Sequence, residues 1–174
     1  MSGIQRVLVP TDFTVDSLRI ALEYLENNGD NQRVELVLVC GYDLGDSITG
    51  LLGFTKDDHL ARLQGEDFVK GCEMIKSRFK QTVVEMYADL LISKNARYVR
   101  NYLKGNRITQ VVLPETYGFR FFNRHCFDIL NVLKAVGLEA LPEVVSLPVV
   151  GNETDNIDTM DSIFFRKGWK VSYE

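Results

Sequence analysis

Residues 6–25 read RVLVPTDFTVDSLRIALEYL, an apolar run that passes through a proline and an aspartate into an amphipathic pattern. The continuous apolar residues 7–9 predict a strand buried on both faces, as in a parallel sheet. Thr14 is placed to cap a helix, and Asp16 stands in its first turn, where the helix dipole favours an acid. One helical stripe carries Leu18, Ala21, Leu22 and Leu25. The segment therefore predicts a strand, a tight turn and a helix that packs back on the sheet.

The remainder of the chain repeats this alternation of strand and helix. Further strands are predicted at residues 34–40, within 84–92, at 108–113 and within 144–150. Helices are predicted at residues 56–82, 93–105 and 123–136. Such an alternation indicates a parallel sheet with right-handed crossovers. Pro148 indicates an edge position for the last strand, because proline cannot donate a ladder hydrogen bond.

The helices carry their own boundary signals. A break is predicted near Gly65 in the long second helix, because glycine disfavours a helix interior. Ser93 and Gly105 are predicted to begin and end the third helix, and Gly137 to end the fourth. The residues expected to face the sheet are Phe68, Cys72, Ile75 and Phe79 in the second helix, Ala96, Val99, Tyr102 and Leu103 in the third, and Cys126 or Phe127, Leu130, Leu133 and Ala135 in the fourth.

Length and composition indicate how many domains the chain can form. A chain of 174 residues, 45% hydrophobic and 25% charged, fits one globular domain with an appendage. We assign the domain to residues 1–151 and a carboxyl-terminal extension to residues 152–174. Residues 152–161 are polar and acidic and predict a linker, while the two short apolar runs within 162–173 are typical of a β-hairpin.

Charge and cysteine content limit the expected partners and the expected cellular compartment of the protein. A net charge of -4 and a pI near 5.3 give no basic surface for nucleic acid or an anionic membrane, so neither is expected as a partner. The first apolar run ends at Pro10, too early for a signal peptide, and no later run approaches the length of a membrane span. Cys40, Cys72 and Cys126 show no C-x-x-C spacing, so a reducing cytoplasm is expected.

Two motifs in the first unit carry a resemblance to a known family. Residues 7–13 read VLVPTDF, and after a Thr or Ser type of cap the chain continues S-L-x-x-A-L-x-Y at residues 17–24. This pattern resembles the opening of the universal stress protein family. The resemblance implies a doubly wound, five-stranded parallel sheet of order 3-2-1-4-5 with helices on both faces, an adenine-nucleotide α-hydrolase-like α/β fold. It also implies a homodimer paired through the fifth strand, and nucleotide contacts at Asp12, Val39 and Gly118.

The phosphate motif of the family's nucleotide-binding members is largely missing. Those members follow the fourth strand with G-x-x-G, nine residues and G-[ST], because phosphates approach backbone N–H groups closely there. The same spacing in this chain falls on Glu115, Gly118, Asp128 and Ile129, of which only Gly118 fits. Two like charges about 4 Å apart repel by roughly 4 kcal/mol at the effective dielectric of a protein surface. ATP or ADP binding in the family's usual manner is therefore disfavoured, although Arg120, Arg124 or a divalent cation would offset the repulsion.

Several residue groups admit a functional and a structural interpretation. Asp12 and Glu115 end adjacent strands and form a candidate carboxylate pair for acid–base or metal chemistry. Because no nucleophile or third ligand accompanies them, we favour the interpretation in which Asp12 orders its own turn and Glu115 is solvated. His59, His125 and Cys126 are metal-ligand residue types, yet the spacing is not that of a chelating site. A surface or packing role is favoured for the histidines, and no metal is expected.

The remaining candidates lie near the carboxyl ends of the strands. Cys40 ends the second strand and is a candidate reactive thiol, although a buried free cysteine is the favoured interpretation. Residues 41–55 predict a loop at the edge where ligands bind, and Tyr42 with the stretch 45–53 could close over it. Four aromatic residues are expected to fill the vacated cleft, or alternatively to line a pocket for another ligand, namely Phe119, Phe121, Phe122 and Phe127.

The sequence leaves three functional hypotheses, of which the first is favoured. The first is a non-catalytic stress-response or regulatory homodimer with a degenerate nucleotide site and no cofactor. The second is a sensor that holds a small ligand or an adenine nucleotide in a modified cleft. The third is an enzyme of the wider nucleotide α-hydrolase group, which needs an intact phosphate loop and a catalytic residue that the sequence does not offer clearly.

Overall fold

The computed structural model describes residues 3–28, 32–45, 52–53, 55–137 and 141–150. The strands are β1 (Gln5–Pro10), β2 (Val34–Tyr42), β3 (Val83–Leu91), β4 (Gln110–Thr116), β5 (Cys126–Phe127) and β6 (Val144–Val150). The helices are α1 (Leu18–Asn27), α2 (Lys56–Leu63), α3 (Glu66–Arg78), α4 (Ala96–Gly105) and α5 (Ile129–Val136). The predicted extension after residue 151, with its linker and hairpin, lies outside the described residues.

Five strands form a parallel sheet in the order β3-β2-β1-β4-β6. Because β6 is the fifth of the predicted strands, this is the order 3-2-1-4-5, and that prediction is confirmed. β6 lies at an edge of the sheet that the described residues form, as Pro148 indicates. The two-residue strand β5 was not predicted, and it pairs antiparallel with the end of β2. The direction in which successive strands are added reverses between β1 and β4, which creates the switch point where ligands bind in such sheets.

The pleat of the strands divides the core into two parts. Val7 and Val9 lie in a first core with α1, α2 and α3, whereas Leu8 lies in a second core with α4 and α5. The same alternation along β2 sends Leu38 to the first core and Val39 to the second. Helices therefore cover both faces of the sheet, as predicted, and the buried strands read as continuous apolar runs.

Local capping explains where the helices begin. The predicted helix from residue 123 starts only at Ile129, because the Asp128 side chain accepts from the Leu130 N–H at 2.8 Å and caps α5 there. Ala135, expected in the core, is exposed. Asn95 rather than Ser93 caps α4, since its side chain accepts from two backbone N–H groups.

Other boundaries agree with the sequence. The predicted break near Gly65 separates α2 from α3, and Gly137 ends α5 with a φ of 95° that favours glycine. The prediction that Thr14 caps α1 is wrong, because the residue at the N-cap is Ser17. The Thr14 hydroxyl accepts from the Ser17 N–H at 3.2 Å, in the turn before the helix. Asp16 lies in that turn rather than in the helix and pairs with Arg19 at 2.9 Å. Within the described residues, no helix is both long enough and apolar enough to cross a bilayer.

The contact of β5 with β2 depends on a glycine. Gly41 pairs with Phe127, and a Cβ on Gly41 would lie 2.4 Å from the Phe127 ring and 2.7 Å from its carbonyl oxygen. Real Cβ atoms do not approach so closely. Any larger residue at position 41 must therefore push β5 away from the sheet.

We predict that Gly41→Ala lowers the free energy of unfolding by about 1–3 kcal/mol, the usual range for overpacking a tight contact. Gly105→Ala is the matched control, because a Cβ there meets nothing within 4 Å. It should leave stability unchanged or raise it by a few tenths of a kcal/mol. Urea denaturation measures both, and equal stability of the two variants would show that β5 is not closely held.

A chain of hydrogen bonds joins α1 to the start of β4 and to the residue before β6. Tyr24 donates to Gln110 Oε1 at 2.5 Å, and Gln110 Nε2 donates to Glu143 Oε2 at 3.0 Å. Burial, with a smaller effect from Glu143, raises the pKa of Tyr24 to about 12. An unfolded tyrosine ionises near pH 10.

We predict that stability falls between pH 10 and pH 12, because the unfolded chain then loses the Tyr24 proton while the folded chain keeps it. A difference of about two between the folded and unfolded pKa values corresponds to a loss of about 2–3 kcal/mol. Tyr24→Phe should be less stable at pH 8 but should lose less stability over this interval. Urea denaturation at both ends of the interval compares the two chains, and parallel losses would contradict the assignment.

Candidate functional site

The candidate site lies where β1, β2 and β4 end at the carboxyl edge of the sheet. Three segments meet there: the turn at residues 11–17 after β1, the segment at residues 117–125 after β4, and β5 against the end of β2. β1 pairs with both β2 and β4, so the site sits at the topological switch point. This is the position that the sequence predicts for ligand binding.

Asp12 is the central group of the site and is 5% exposed. One carboxylate oxygen, Oδ1, accepts from the backbone N–H and the hydroxyl of Thr14 at 2.9 and 2.5 Å. The other, Oδ2, accepts from the backbone N–H of Arg120 at 2.7 Å. Both oxygens of Asp12 are therefore bonded within the chain, and they join the turn after β1 to the segment after β4.

The turn itself is closed by short side-chain hydrogen bonds. The hydroxyls of Thr11 and Ser17 lie 2.8 Å apart, and the Thr11 hydroxyl accepts from the Phe13 N–H at 3.0 Å. Phe13 has a φ of 63°, a strained value for a residue with a side chain. Its ring packs edge-on against Phe68, with centroids 5.5 Å apart, which holds the strained conformation in place.

A second hydrogen bond, between Tyr117 and Asp16, links the turn after β1 to the segment after β4. The Tyr117 hydroxyl donates to Asp16 Oδ2 at 2.8 Å. Burial, together with the nearby carboxylates of Asp12 and Asp16, raises the pKa of Tyr117 well above its ordinary value. Tyr117 therefore stays protonated and keeps donating at physiological pH.

Aromatic rings continue from Tyr117 along the segment after β4. The ring centroids of Tyr117 and Phe119 are 4.9 Å apart, and those of Phe119 and Phe121 are 5.9 Å apart. Phe119 and Phe121 pack against the first core. Phe122 does not join them, because it is 89% exposed. Phe127 packs instead against the second core, with the ammonium of Lys94 at 4.8 Å from its ring centroid.

The four positions of the phosphate motif have different surroundings. Glu115 is exposed at the end of β4, and Gly118 is exposed with open space around it. Asp128 caps α5, and its burial raises its pKa against the opposing effects of the Leu130 N–H and Lys134. Ile129 is buried in the second core.

The other family position, Val39, belongs to the second core. Its side chain is fully buried in the second core, and its carbonyl accepts from the Thr11 N–H at 3.0 Å. Asp12 and Glu115 also have contrasting surroundings, since one is buried and bonded to its own turn while the other is exposed. This contrast agrees with the structural interpretation of the two carboxylates.

Both histidines lie against Tyr42, an arrangement that the sequence did not reveal. The Tyr42 ring is 5.0 Å from the His59 ring and 5.5 Å from the His125 ring, between centroids. Arg62 Nη2 lies 2.6 Å from His59 Nδ1. Cys126 sits beside Cys40 across the pairing of β5 with β2. In the described ranges, no three His, Cys, Asp or Glu residues are arranged to hold a metal ion.

Comparison with known proteins identifies similar folds. No protein-family model matches the sequence, and no curated protein is significantly similar to it. The structure of the hypothetical protein PH0823 is 16% identical, covers 85% of this chain and 99% of its own, and superposes with a TM-score of 0.50. This likeness concerns the fold alone.

Two further structures have lower TM-scores. A protein of the universal stress protein family from Burkholderia pseudomallei is 14% identical over 83% of this chain and 96% of its own, with a TM-score of 0.49. A universal stress protein in complex with cAMP is 13% identical over 82% of this chain and 96% of its own, with a TM-score of 0.44.

The strand order and the helices on both faces are those that the sequence resemblance implies, so the chain has a universal stress protein-like fold.

We predict that Asp12→Asn destabilises the protein by about 1–3 kcal/mol, because an amide oxygen can replace only one carboxylate oxygen and the NH2 group would face the N–H of Arg120 or Thr14. Glu115→Gln is the control at an exposed carboxylate, expected within about 0.5 kcal/mol of the natural chain. Urea denaturation measures the difference. Equal stability of the two variants would show that Asp12 does not hold the segment after β4.

Proposed function

We propose that the protein is a non-catalytic member of the universal stress protein family, acting in the cytoplasm as a stress-response or regulatory homodimer. The fold and the resemblance of residues 6–25 support membership of the family. The observation that carries the proposal is the Asp12 carboxylate, whose two oxygens are bonded to Thr14 and Arg120. A carboxylate engaged in this way is a structural group rather than a free acid or base.

The surroundings of the site disfavour nucleotide binding in the family's usual manner. Phosphate binding at a helix N-terminus uses free backbone N–H groups and the positive end of the dipole. In this chain Asp128 supplies its own carboxylate to the Leu130 N–H at the start of α5. Glu115 adds a second acid at the end of β4. Bound phosphate would therefore meet negative charge where the motif provides glycine.

The sheet edge supports a homodimer. β6 is the last strand on its side of the described sheet, so its outer edge is available to a strand of another chain. A second copy pairing along this edge would cover it. Sedimentation analysis of the full chain is expected to give a dimer at micromolar concentration, and a monomer would remove this part of the proposal.

A second candidate function is a sensor that uses a modified cleft. The supporting observation is the surface after β4, where Phe122 is 89% exposed and Gly118 has open space around it. An exposed aromatic ring on a segment that also contains an open glycine suits stacking of a planar ligand such as an adenine base. This function needs ligand contacts other than those of the family motif.

Thermal unfolding with ATP, ADP and AMP, each with magnesium, separates the two functions. A ligand present at a hundred times its dissociation constant stabilises by about 2.7 kcal/mol, which raises the midpoint clearly. We expect no rise at millimolar nucleotide. A rise would contradict the proposal and support the sensor function.

The variant Asp128→Asn sharpens this experiment, because asparagine caps a helix about as well as aspartate but carries no charge. If Asp128 repels phosphate, ATP should bind this variant more tightly than the natural chain. Asp57→Asn, at an exposed acid in the first turn of α2, is the control and should not change ATP affinity. Equal affinity of all three chains would show that the charge of Asp128 does not exclude nucleotide.

A further inference from the structure

Strand β5 brings two cysteines together from distant parts of the chain. Tyr42 pairs with Cys126 and Gly41 with Phe127, and the Asp43 N–H donates to the His125 carbonyl at 2.7 Å. Cys40 stands two residues before Tyr42 and therefore on the same side of β2. Cys40 is 1% exposed in the first core, and Cys126 packs against that core from outside. The two thiol groups are therefore neighbours on one side of the β2–β5 pair, and the Cys40 thiol donates to the Gly41 carbonyl at 3.4 Å.

The two thiols have different pKa values because they interact with each other and Cys40 is the more buried. The Cys40 thiol lowers the pKa of Cys126, while burial and the Asp12 carboxylate oppose this effect. The interaction with Cys126 and burial raise the pKa of Cys40. Cys126 is also the more exposed of the two. It is therefore the thiol that ionises first and that solvent reaches.

We propose that Cys126 and Cys40 form a peroxide-reactive site in which Cys126 is the nucleophile and Cys40 the resolving thiol. The Cys126 thiolate attacks one oxygen of a hydroperoxide, the O–O bond breaks, and Cys126 becomes a sulfenic acid while hydroxide or alkoxide leaves. The Cys40 sulfur then attacks the Cys126 sulfur, its proton passes to the departing hydroxyl, and water is released. The product is a Cys40–Cys126 disulfide, with the hydroperoxide as the oxidant that is reduced.

The bond requires a local movement of β5. Cys40 and Cys126 are diagonal neighbours in an antiparallel pair, so their Cβ atoms are farther apart than in a disulfide, and β5 must shift to bring them together. β5 has two residues, which pair with Gly41 and Tyr42 of β2, so the movement involves a short segment of the chain. Cys72 has no such partner role, since it lies in α3 and burial raises its pKa to about 12.

The test uses the reduced full-length chain treated with hydrogen peroxide, quenched by alkylation, digested without reductant and analysed by mass spectrometry. The expected product is a peptide pair linked through Cys40 and Cys126, with Cys72 alkylated. In Cys40→Ser, Cys126 should accumulate as a sulfenic acid that dimedone traps. In Cys126→Ser, Cys40 should stay reduced at the same dose. Cys72→Ser is the control and should oxidise like the natural chain.

A measurement on the natural chain does not depend on how the variants fold. Cys126 should react with iodoacetamide at least about tenfold faster than Cys72, because thiolate character and access control the rate. Equal alkylation rates, or the absence of the linked peptide from the folded oxidised chain, would overturn the proposal. Faster oxidation of Cys72 than of Cys126, or dimedone labelling of Cys40 in Cys126→Ser, would also overturn it.

Discussion

The candidate site depends on the two oxygens of the Asp12 carboxylate. A buried carboxylate needs partners, because an unpaired buried charge is far less stable than a hydrated one. Thr14 supplies partners from the next turn of the chain, and Arg120 supplies a backbone N–H from 108 residues away. Tyr117 adds a parallel link to Asp16. The turn after β1 and the segment after β4 are therefore held together by the chain itself, at the edge where related folds bind ligands.

The same region explains why the chain after β4 departs from a simple strand and helix. Asp128 delays the start of α5, and the preceding residues Cys126 and Phe127 pair with the end of β2 instead. Gly41 makes this possible, because the Phe127 ring occupies the space that a side chain at position 41 would need. The Asp128 cap and Gly41 together place Cys126 beside Cys40. The same two residues therefore set the path of the chain after β4 and the proximity of the two thiols.

The sequence predicts the features that depend on local or periodic patterns. The apolar runs, the stripe of α1 and the break at Gly65 each follow from nearby residues, and strand order follows from the family resemblance. Asp128 was within reach of the same reasoning, since an aspartate directly before an apolar run is a helix-start signal. The predicted start at residue 123 is wrong because residues 126–127 are apolar like those of α5, although they pair with β2.

The features that escaped prediction join residues from separate elements. Nothing in the spacing of Tyr42, His59 and His125 indicates that their rings meet, and the two thiols become neighbours only through an antiparallel pairing that the alternating pattern does not contain. Only one of the two contacts of Asp12 can be predicted from the sequence. Its contact with Thr14 is a local turn pattern, whereas its contact with Arg120 depends on the path of the chain after β4.

Hydrogen exchange of the Arg120 backbone amide shows whether Asp12 holds the segment after β4 in place. We expect this amide to exchange slowly, near the rate of amides in the buried strands, and Asp12→Asn to make it fast. The amide of the exposed Gly118 serves as the internal comparison. Fast exchange of the Arg120 amide in the natural chain, equal to that of Gly118, would show that Asp12 does not hold this segment.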